Sequence, residues 1–204
     1  MNTKCLLLMF LVALSISSHA QEADSIPEKD ETEIGVSEGD FPKNALRLLE
    51  DVSRVDKFKY YKKDSLGAEV YVAKFKVKGE QYTVLFDVKG VLNWVEVNIG
   101  QKEIEPSDSR QAIMGYFDQR FKRTKVMEIK KLFLPKGSGL EIDTVIEAFS
   151  DGKDMSFCTI KYMVEVSGDI GDGAAKLYEV TFNEAGEYEK IESVEMHNMD
   201  NIIF

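Results

Sequence analysis

Three carboxylates are spaced closely enough to suggest acid–base chemistry. Glu141, Asp143 and Glu147 lie in residues 140–149, a segment typical of a β-strand. A carboxylate pair can act as general acid and general base in a hydrolase, provided that a buried environment shifts one pKa. We expect these side chains to alternate along the strand and face solvent, so the sequence does not support a catalytic role for them.

Thiol chemistry and zinc binding would depend on Cys158 and His197, the one cysteine and the one histidine after residue 20. One residue of each type cannot supply the Cys and His ligands of a zinc site. A thiol enzyme would need the two side chains to meet in space. Cys158 opens an alternating apolar run, residues 158–166, which predicts a buried core thiol on the inner face of a strand.

The segment Gly168–Gly173 carries spaced carboxylates, Asp169 and Asp172, as a calcium-binding loop does. An EF-hand loop also needs oxygen ligands at alternate positions and a distal glutamate. The intervening glycines and Ile170 break that pattern, and Glu179 is not at the required spacing. A hairpin tip is therefore favoured and calcium binding stays open. No catalytic, cofactor-binding or metal-binding residue is predicted.

Aromatic and basic residues are the candidates for a partner-binding surface. Basic clusters follow two predicted helices, and their equivalent positions could steer an acidic partner, although compensation of the helix dipoles explains them equally well. Exposed aromatic side chains are common at interaction hot spots, although packing between the two halves of the chain would also explain them. The possible partner-binding residues are Tyr60, Tyr61, Trp94, Lys122 and Arg123.

The first 20 residues are typical of a secretory signal peptide, with Lys4 before an apolar run and cleavage after Ala20. We therefore expect a periplasmic or secreted protein without a membrane span, because serines interrupt the apolar run too early for an anchor. Residues 21–40 hold eight acidic residues and one basic residue and are predicted to be a disordered acidic linker. The rest of the chain lacks the basic excess that nucleic acid binding requires.

A short motif occurs twice and divides the remaining chain into two units, residues 41–104 and 105–204. Tyr-x-Val-x-Phe, followed by Asp or Asn and then by Gly, begins at Tyr82 and again at Tyr178. Each copy lies downstream of an amphipathic helix that begins near a proline. The apolar residues of the motif would cover the helix, and its last residues would form a tight turn.

The predicted fold class is α+β, with two repeats of an α-helix packed on an antiparallel β-meander. In the first unit, residues 71–77, 81–87 and 91–99 alternate as strands do. In the last of these strands, Val91, Val95, Val97 and Ile99 are expected to face the core, with Leu92 and Trp94 outward or towards the neighbouring unit. In the second unit, the predicted strands are residues 126–134, 140–149, 156–166, 176–183 and 187–195.

This repeat resembles the PepSY-like proteins, whose fold is shared with the β-lactamase-inhibitor-protein (BLIP-like) family. The resemblance covers about residues 41–195. It implies an exported bacterial protein with a binding or inhibitory role and no catalysis, and it transfers no site residues. It rests on Tyr82, Val84, Phe86, Asp87 and Gly90, together with Tyr178, Val180, Phe182, Asn183 and Gly186.

Two function classes remain after a hydrolase is set aside. The first is a non-enzymatic exported binding module for an unknown protein or peptide, which could act as an inhibitor. The second is a carrier of a small apolar ligand with a cystatin-like or NTF2-like pocket, which requires a cavity of about 300 Å³ or more. Oligomeric state, a shared sheet between the units and the role of the tail, residues 198–204, stay open.

Overall fold

The structure, a computed structural model, describes residues 26–30, 32–65, 68–137, 139–171 and 173–195. The predicted signal peptide, its cleavage site and the C-terminal tail lie outside the described residues. Within the described ranges, no helix reaches the length and apolar character that crossing a membrane requires.

The described part contains ten β-strands and three α-helices. The strands are β1 (Glu28–Asp30), β2 (Glu33–Gly35), β3 (Lys59–Ser65), β4 (Ala68–Val77), β5 (Glu80–Asp87), β6 (Leu92–Asn98), β7 (Arg123–Pro135), β8 (Cys158–Asp169), β9 (Lys176–Asn183) and β10 (Tyr188–Glu195). The helices are α1 (Lys43–Glu50), α2 (Ser107–Arg120) and α3 (Ile142–Asp151). The predicted α+β fold, with a helix on an antiparallel meander in each half, is confirmed.

All ten strands belong to one sheet. From β2 to β10 the strands are antiparallel neighbours in chain order, so the meander of the first unit continues directly into that of the second at β6 and β7. At one edge β1 pairs in parallel with β10, and at the other edge β2 pairs with β3.

The short connection between β1 and β2 requires the sheet to curl. In a flat sheet with about 4.8 Å between strands, two edges nine strand spacings apart would lie about 43 Å from each other. Asp30 and Glu33 lie at opposite edges, yet they are three residues apart. Consecutive Cα atoms are about 3.8 Å apart, which limits their separation to about 11 Å. The two edges are therefore close together, and one face of the sheet is concave.

The three helices pack on the convex face, where the main hydrophobic core lies. Each helix buries an apolar stripe there, which includes Leu49 of α1, Phe117 of α2 and Val145 of α3. A fully buried side chain of this size contributes about 1.5–3 kcal/mol. The largest fully buried rings from the sheet are Tyr82, Phe86, Phe133, Tyr162, Tyr178 and Phe182.

The two copies of the motif form the same turn. The Asp87 N–H donates to Val91 O at 2.9 Å, and Asp87 O accepts from Gly90 N at 2.9 Å. The Asp87 side chain closes the turn, because its Oδ1 accepts from Val91 N at 2.8 Å. Asn183 makes the same three contacts in the second unit: its N–H donates to Glu187 O at 3.0 Å, its O accepts from Gly186 N at 2.9 Å, and its Oδ1 accepts from Glu187 N at 2.9 Å.

The glycine of each turn packs against the helix of its own unit. Gly90 and Gly186 have φ angles of +77° and +81°, a region that glycine adopts without strain. A Cβ on Gly90 would lie 2.6 Å from Ala45 N in α1, and one on Gly186 would lie 2.5 Å from Ser109 O in α2. The repeated glycine therefore permits close contact between helix and sheet.

Both units also carry a β-bulge at the same position. The extra residues, Asn93 in β6 and Glu189 in β10, are 96 positions apart, which is the spacing of the two motif copies. The first bulge turns Leu92 towards the core and leaves Val91 55% exposed. The predicted outward position of Leu92 and inward position of Val91 are therefore wrong, whereas Trp94 does face away from the main core.

Residues 140–149, predicted as a strand, instead contain most of helix α3. Some of their apolar residues alternate with a period of two, as in a strand. The residues that pack on the core, however, are those at helical spacing. The ring of Phe149 lies 5.7 Å from that of Phe133 and 6.4 Å from that of Tyr82. The strand prediction for this segment is wrong. Helical spacing is shown by Ile142, Val145, Ile146 and Phe149.

Much of the predicted disordered linker, residues 21–40, takes up defined structure as β1, β2 and a short 3-10 turn. Its few apolar side chains do not prevent this, because edge strands gain backbone hydrogen bonds. The Ser193 N–H donates to Pro27 O at 2.8 Å, and the Val36 N–H donates to Tyr60 O at 3.0 Å. The prediction of disorder is therefore wrong for residues 26–30 and 32–40. The boundaries of the two units, residues 41–104 and 105–204, stay predictions.

Candidate functional site

The concave face of the sheet encloses a cavity of about 320 Å³, which we call the charged cavity. Side chains from nine strands, β2 to β10, line it. Strand alternation explains their polarity, because the apolar side chains of the same strands face the helices. The charged lining residues are Glu33, Glu96, Glu128, Glu179 and Glu192, and Lys63, Lys74, Lys130 and Lys190.

Two buried glutamates of the charged cavity occupy equivalent positions in the two units. Glu96 and Glu192 are 8% and 4% exposed, and each accepts a hydrogen bond from the residue two positions earlier on its strand. Trp94 Nε1 donates to Glu96 Oε1 at 2.7 Å. Lys190 Nζ donates to Glu192 Oε2 at 2.8 Å. Burial raises the pKa of Glu96, although Lys130 and the hydrogen bond from Trp94 oppose this effect.

Four glutamates stand side by side across the second unit, and we call them the glutamate row. The register pairs Glu128 with Glu165, Glu165 with Glu179, and Glu179 with Glu192, on β7 to β10. Directly opposite side chains on neighbouring strands are about 4.5–5.5 Å apart, and like charges there destabilise a sheet. Glu179 is also only 2% exposed. Packing alone gives no reason for this row, which makes it a candidate for function.

The same row in the first unit has a different charge. Its members, on β3 to β6 in order, are Lys59, Lys74, Thr83 and Glu96. Only the last position keeps a glutamate. The two units therefore share a backbone arrangement but have diverged on the concave face, where the second unit is the more acidic.

Lysines offset part of the negative charge in the cavity. Five glutamates against four lysines leave the lining acidic by one charge when all are ionised, and Glu165 of the glutamate row adds another carboxylate. Ion pairs join Lys74 to Glu33 at 2.6 Å, Lys130 to Glu128 at 3.1 Å and Lys190 to Glu192 at 2.8 Å.

A small apolar cluster lies on the same face in the first unit. It consists of buried Val70, Val72 and Leu85 with partly buried Tyr61 and Trp94. Two of the predicted partner-binding residues, Tyr61 and Trp94, therefore come together. Trp94 belongs both to this cluster and to the lining of the charged cavity.

The other three predicted partner-binding residues lie elsewhere. Tyr60 points to the opposite side of β3, where its ring is 4.7 Å from that of Phe41 at the edge of the main core. Lys122, between α2 and β7, and Arg123, the first residue of β7, are exposed, and the Lys122 N–H donates to Asp169 O at 2.8 Å. None of these three described residues lines the charged cavity.

The remaining chemical candidates have structural explanations. Cys158 is 2% exposed, so the prediction of a buried core thiol is confirmed, and burial raises the pKa of that thiol. Asp169 Oδ1 accepts hydrogen bonds from Gly171 N at 2.7 Å and Gly173 N at 3.1 Å, so it shapes its own loop. Asp172 lies outside the described residues. Within the ranges that the structure describes, no group of His, Cys, Asp and Glu is arranged to hold a metal ion.

The three carboxylates first considered for acid–base chemistry belong to the helical layer. Glu141 and Glu147 are exposed at α3, and Asp143 Oδ1 accepts from Ser53 N at 3.3 Å. The charged cavity is on the other face of the sheet. Its buried glutamates were missed because their proximity depends on register across the sheet. Aligning the two units would have placed Glu96 on Glu192.

No protein-family model matches the chain, and neither does any curated protein. Solved structures do resemble it. A protein from Bacteroides eggerthii, described as periplasmic, is 14% identical over 74% of this chain and 88% of that one, with a TM-score of 0.50. A DUF2874 family protein from Bacteroides ovatus is 16% identical over 81% and 96%, with a TM-score of 0.47. A BLIP-like protein from Bacteroides fragilis is 17% identical over 80% and 93%, with a TM-score of 0.46.

At such identities, the likeness concerns the fold alone, and the BLIP-like and PepSY-like resemblances both stay predictions.

Proposed function

We propose that the protein is a non-enzymatic exported binding module that receives a segment of a protein or peptide on the concave face of its sheet. The charged cavity is the observation that carries this proposal. Binding sites are usually concave and carry placed polar groups that fix the orientation of the ligand, and here polar groups make up most of the lining. The adjacent apolar cluster supplies the aromatic anchors, Tyr61 and Trp94, that are common at interaction hot spots.

The arrangement of the sheet favours its face over its edges as the binding surface. A peptide that adds a strand needs a free edge with unpaired backbone groups. Here the chain's own β1 and β2 occupy the outer sides of β10 and β3. Because β3 and β10 are already paired on both sides, a peptide cannot add a strand to either of them. It would instead be recognised by side chains on the concave face.

The polar lining argues against the alternative of a small apolar ligand. Such a ligand would remove water from Glu179, Glu192 and the cavity lysines without replacing its hydrogen bonds. Burying polar groups without partners costs about 1–3 kcal/mol each. A peptide carries its own donors and acceptors and avoids that cost.

Export is part of the proposal. Residues 1–20 predict a signal peptide, and the Bacteroides eggerthii protein that shares the fold is described as periplasmic. Mass spectrometry of the protein recovered from the periplasm or medium should find Gln21 at its N-terminus. Recovery of the full chain from the cytoplasm would contradict this part of the proposal.

Selection from a displayed library of random linear peptides tests the binding function. Peptides enriched on the immobilised protein are synthesised, and their affinity is measured by calorimetry for the wild type and for Trp94→Ala. Because Trp94 lies in both the cavity lining and the apolar cluster, its removal should weaken binding by about tenfold or more.

Tyr188→Ala is the matched control, since Tyr188 is an aromatic residue that is 46% exposed and stacks on Tyr116 of α2 on the convex side. It should leave peptide affinity unchanged. Failure to enrich any peptide, or equal loss in the two variants, would contradict binding on the concave face.

A further inference from the structure

We infer that the charged cavity accepts a basic side chain, the guanidinium of an arginine or the ammonium of a lysine, from the bound segment. This inference rests on the proposed function and names the chemistry of its ligand. It is argued from the charge, the hydrogen-bonding capacity and the apolar surroundings of the cavity.

The charge of the site favours a cation. The glutamate row places like charges on directly opposite positions of four strands, an arrangement that destabilises a sheet unless positive charge compensates it. The lining has one lysine fewer than glutamates, and Glu165 of the row adds one more acid. One additional cation neutralises the lining itself and leaves only the added charge of Glu165.

The buried carboxylates retain acceptor capacity. A carboxylate has two oxygens that can each accept more than one hydrogen bond. Trp94 Nε1 donates to Glu96 Oε1 and Lys190 Nζ donates to Glu192 Oε2, and a carboxylate that accepts one such bond can accept others. Guanidinium and ammonium groups carry several N–H donors and no acceptor, which suits such a set of oxygens.

A buried hydroxyl without a partner lies beside the glutamates of the row. Thr181 is two residues from Glu179 on β9, so both side chains lie on the concave face. Its hydroxyl is buried and has no hydrogen-bond partner among the described residues, and Thr181 as a whole is 4% exposed. An unsatisfied buried hydroxyl is costly; Thr181 does not itself line the charged cavity, although its register partners Met163 and Lys190 do.

The apolar part of the face suits the stem of a basic side chain. Lysine and arginine pack their methylene groups on apolar surface while the charged end stays in a polar site. Tyr61 and Trp94 provide that surface, and aromatic rings also attract cations. The ammonium of Lys74 already lies 5.2 Å from the centre of the Tyr61 ring.

Fluorescence of Trp94, the one tryptophan of the chain, can report binding directly because its indole N–H donates to Glu96 in the cavity. The probes are acetyl-Gly-Arg-Gly-amide, the same peptide with neutral citrulline in place of arginine, and methylguanidinium. We expect the arginine peptide to bind at least about tenfold more tightly than the citrulline peptide, since a hydrogen bond to a charged group exceeds one to a neutral group by about that factor.

Glu179→Gln and Glu192→Gln should each weaken binding of the arginine peptide by about fivefold or more while leaving the citrulline peptide unaffected. Glu147→Gln, which neutralises an exposed glutamate of α3, is the matched control and should change neither affinity. Urea unfolding of each variant establishes that the fold is intact, and the second glutamine variant serves if one of them does not fold.

The outcomes separate this inference from the proposed function. Equal affinity for the arginine and citrulline peptides would overturn the inference that the cavity accepts a basic side chain, but it would leave the proposal of peptide binding in place. Methylguanidinium binding as tightly as the arginine peptide supports the cation and shows that the rest of this short peptide adds no affinity. An arginine peptide that does not bind, or that binds equally well to both glutamine variants, overturns the inference, whereas the library selection alone decides the proposed function.

Discussion

Replacing Gly90 by alanine should destabilise the protein by about 2–5 kcal/mol. A left-handed φ of +77° costs an alanine about 1–2 kcal/mol. The new Cβ would also lie 2.6 Å from Ala45 N and 2.9 Å from Asn44 Cβ, where contact with a helix backbone cannot be relieved by a side-chain rotation. Overpacking of this kind costs about 1–3 kcal/mol more.

Gly79→Ala is the matched control. Gly79 also has a positive φ, +93°, but a Cβ there meets no atom within 4 Å. Only the backbone cost of about 1–2 kcal/mol should appear. Urea unfolding followed by Trp94 fluorescence gives both free energies of unfolding.

Equal losses in the two variants would refute the reasoning, because they would show that the Gly90 turn does not press on α1. Gly186→Ala extends the test to the second unit. Its Cβ would lie 2.5 Å from Ser109 O, so its loss should match that of Gly90→Ala. A much smaller loss would contradict the structural equivalence of the two turns.

Three further changes test other parts of the structure. Glu96→Gln should raise the free energy of unfolding at pH 7, because burial raises the pKa of Glu96 and makes its ionised form costly in the folded protein. The wild type should lose stability relative to this variant as the pH rises from the ordinary range of a carboxyl through the raised pKa, and parallel pH profiles would contradict it. The Cys158 thiol, in protein that begins at residue 21, should react with Ellman's reagent at least about a hundredfold more slowly in the folded state than in guanidinium. The reason is that Cys158 is 2% exposed and that burial raises the pKa of its thiol. Comparable rates in the two states would contradict its buried position. Deleting residues 21–35 should lower stability and promote self-association on size-exclusion chromatography, because β3 and β10 lose their edge partners; an equally stable monomer would contradict that role for β1 and β2.

The elements that could be predicted from sequence are those determined by local pattern. The turn after Phe86 and its copy after Phe182 need an Asp or Asn side chain and a glycine at fixed spacing, and both are visible in the chain. Alternation around Cys158 likewise indicates its inward position. These features depend on a few neighbouring residues, so no knowledge of tertiary structure is required.

The elements that were missed depend on distant partners. Residues 140–149 satisfy two periods, and contact with Tyr82 and Phe133 selects the helical one. β1 and β2 are held mainly by backbone hydrogen bonds at the sheet edges, and composition carries no signal for such bonds.

The candidate site was only partly predictable for the same reason. Tyr61 and Trp94 were recognised as aromatic residues outside the main core, and the structure brings them together. The glutamate row was not, because its members are separated by up to 64 residues and become neighbours only through the register of β7 to β10.

The pairing of β1 with β10 has a consequence for the order in which the protein is assembled. Glu28 lies opposite Ser193, so the first strand of the sheet has no partner until almost the whole chain has been synthesised. Under the proposed export from the N-terminus, the leading strand would stay unpaired during most of translocation. Contacts of such long sequence separation form slowly, and we expect closure of the sheet to be the last step of folding, completed only after the C-terminal strand has emerged.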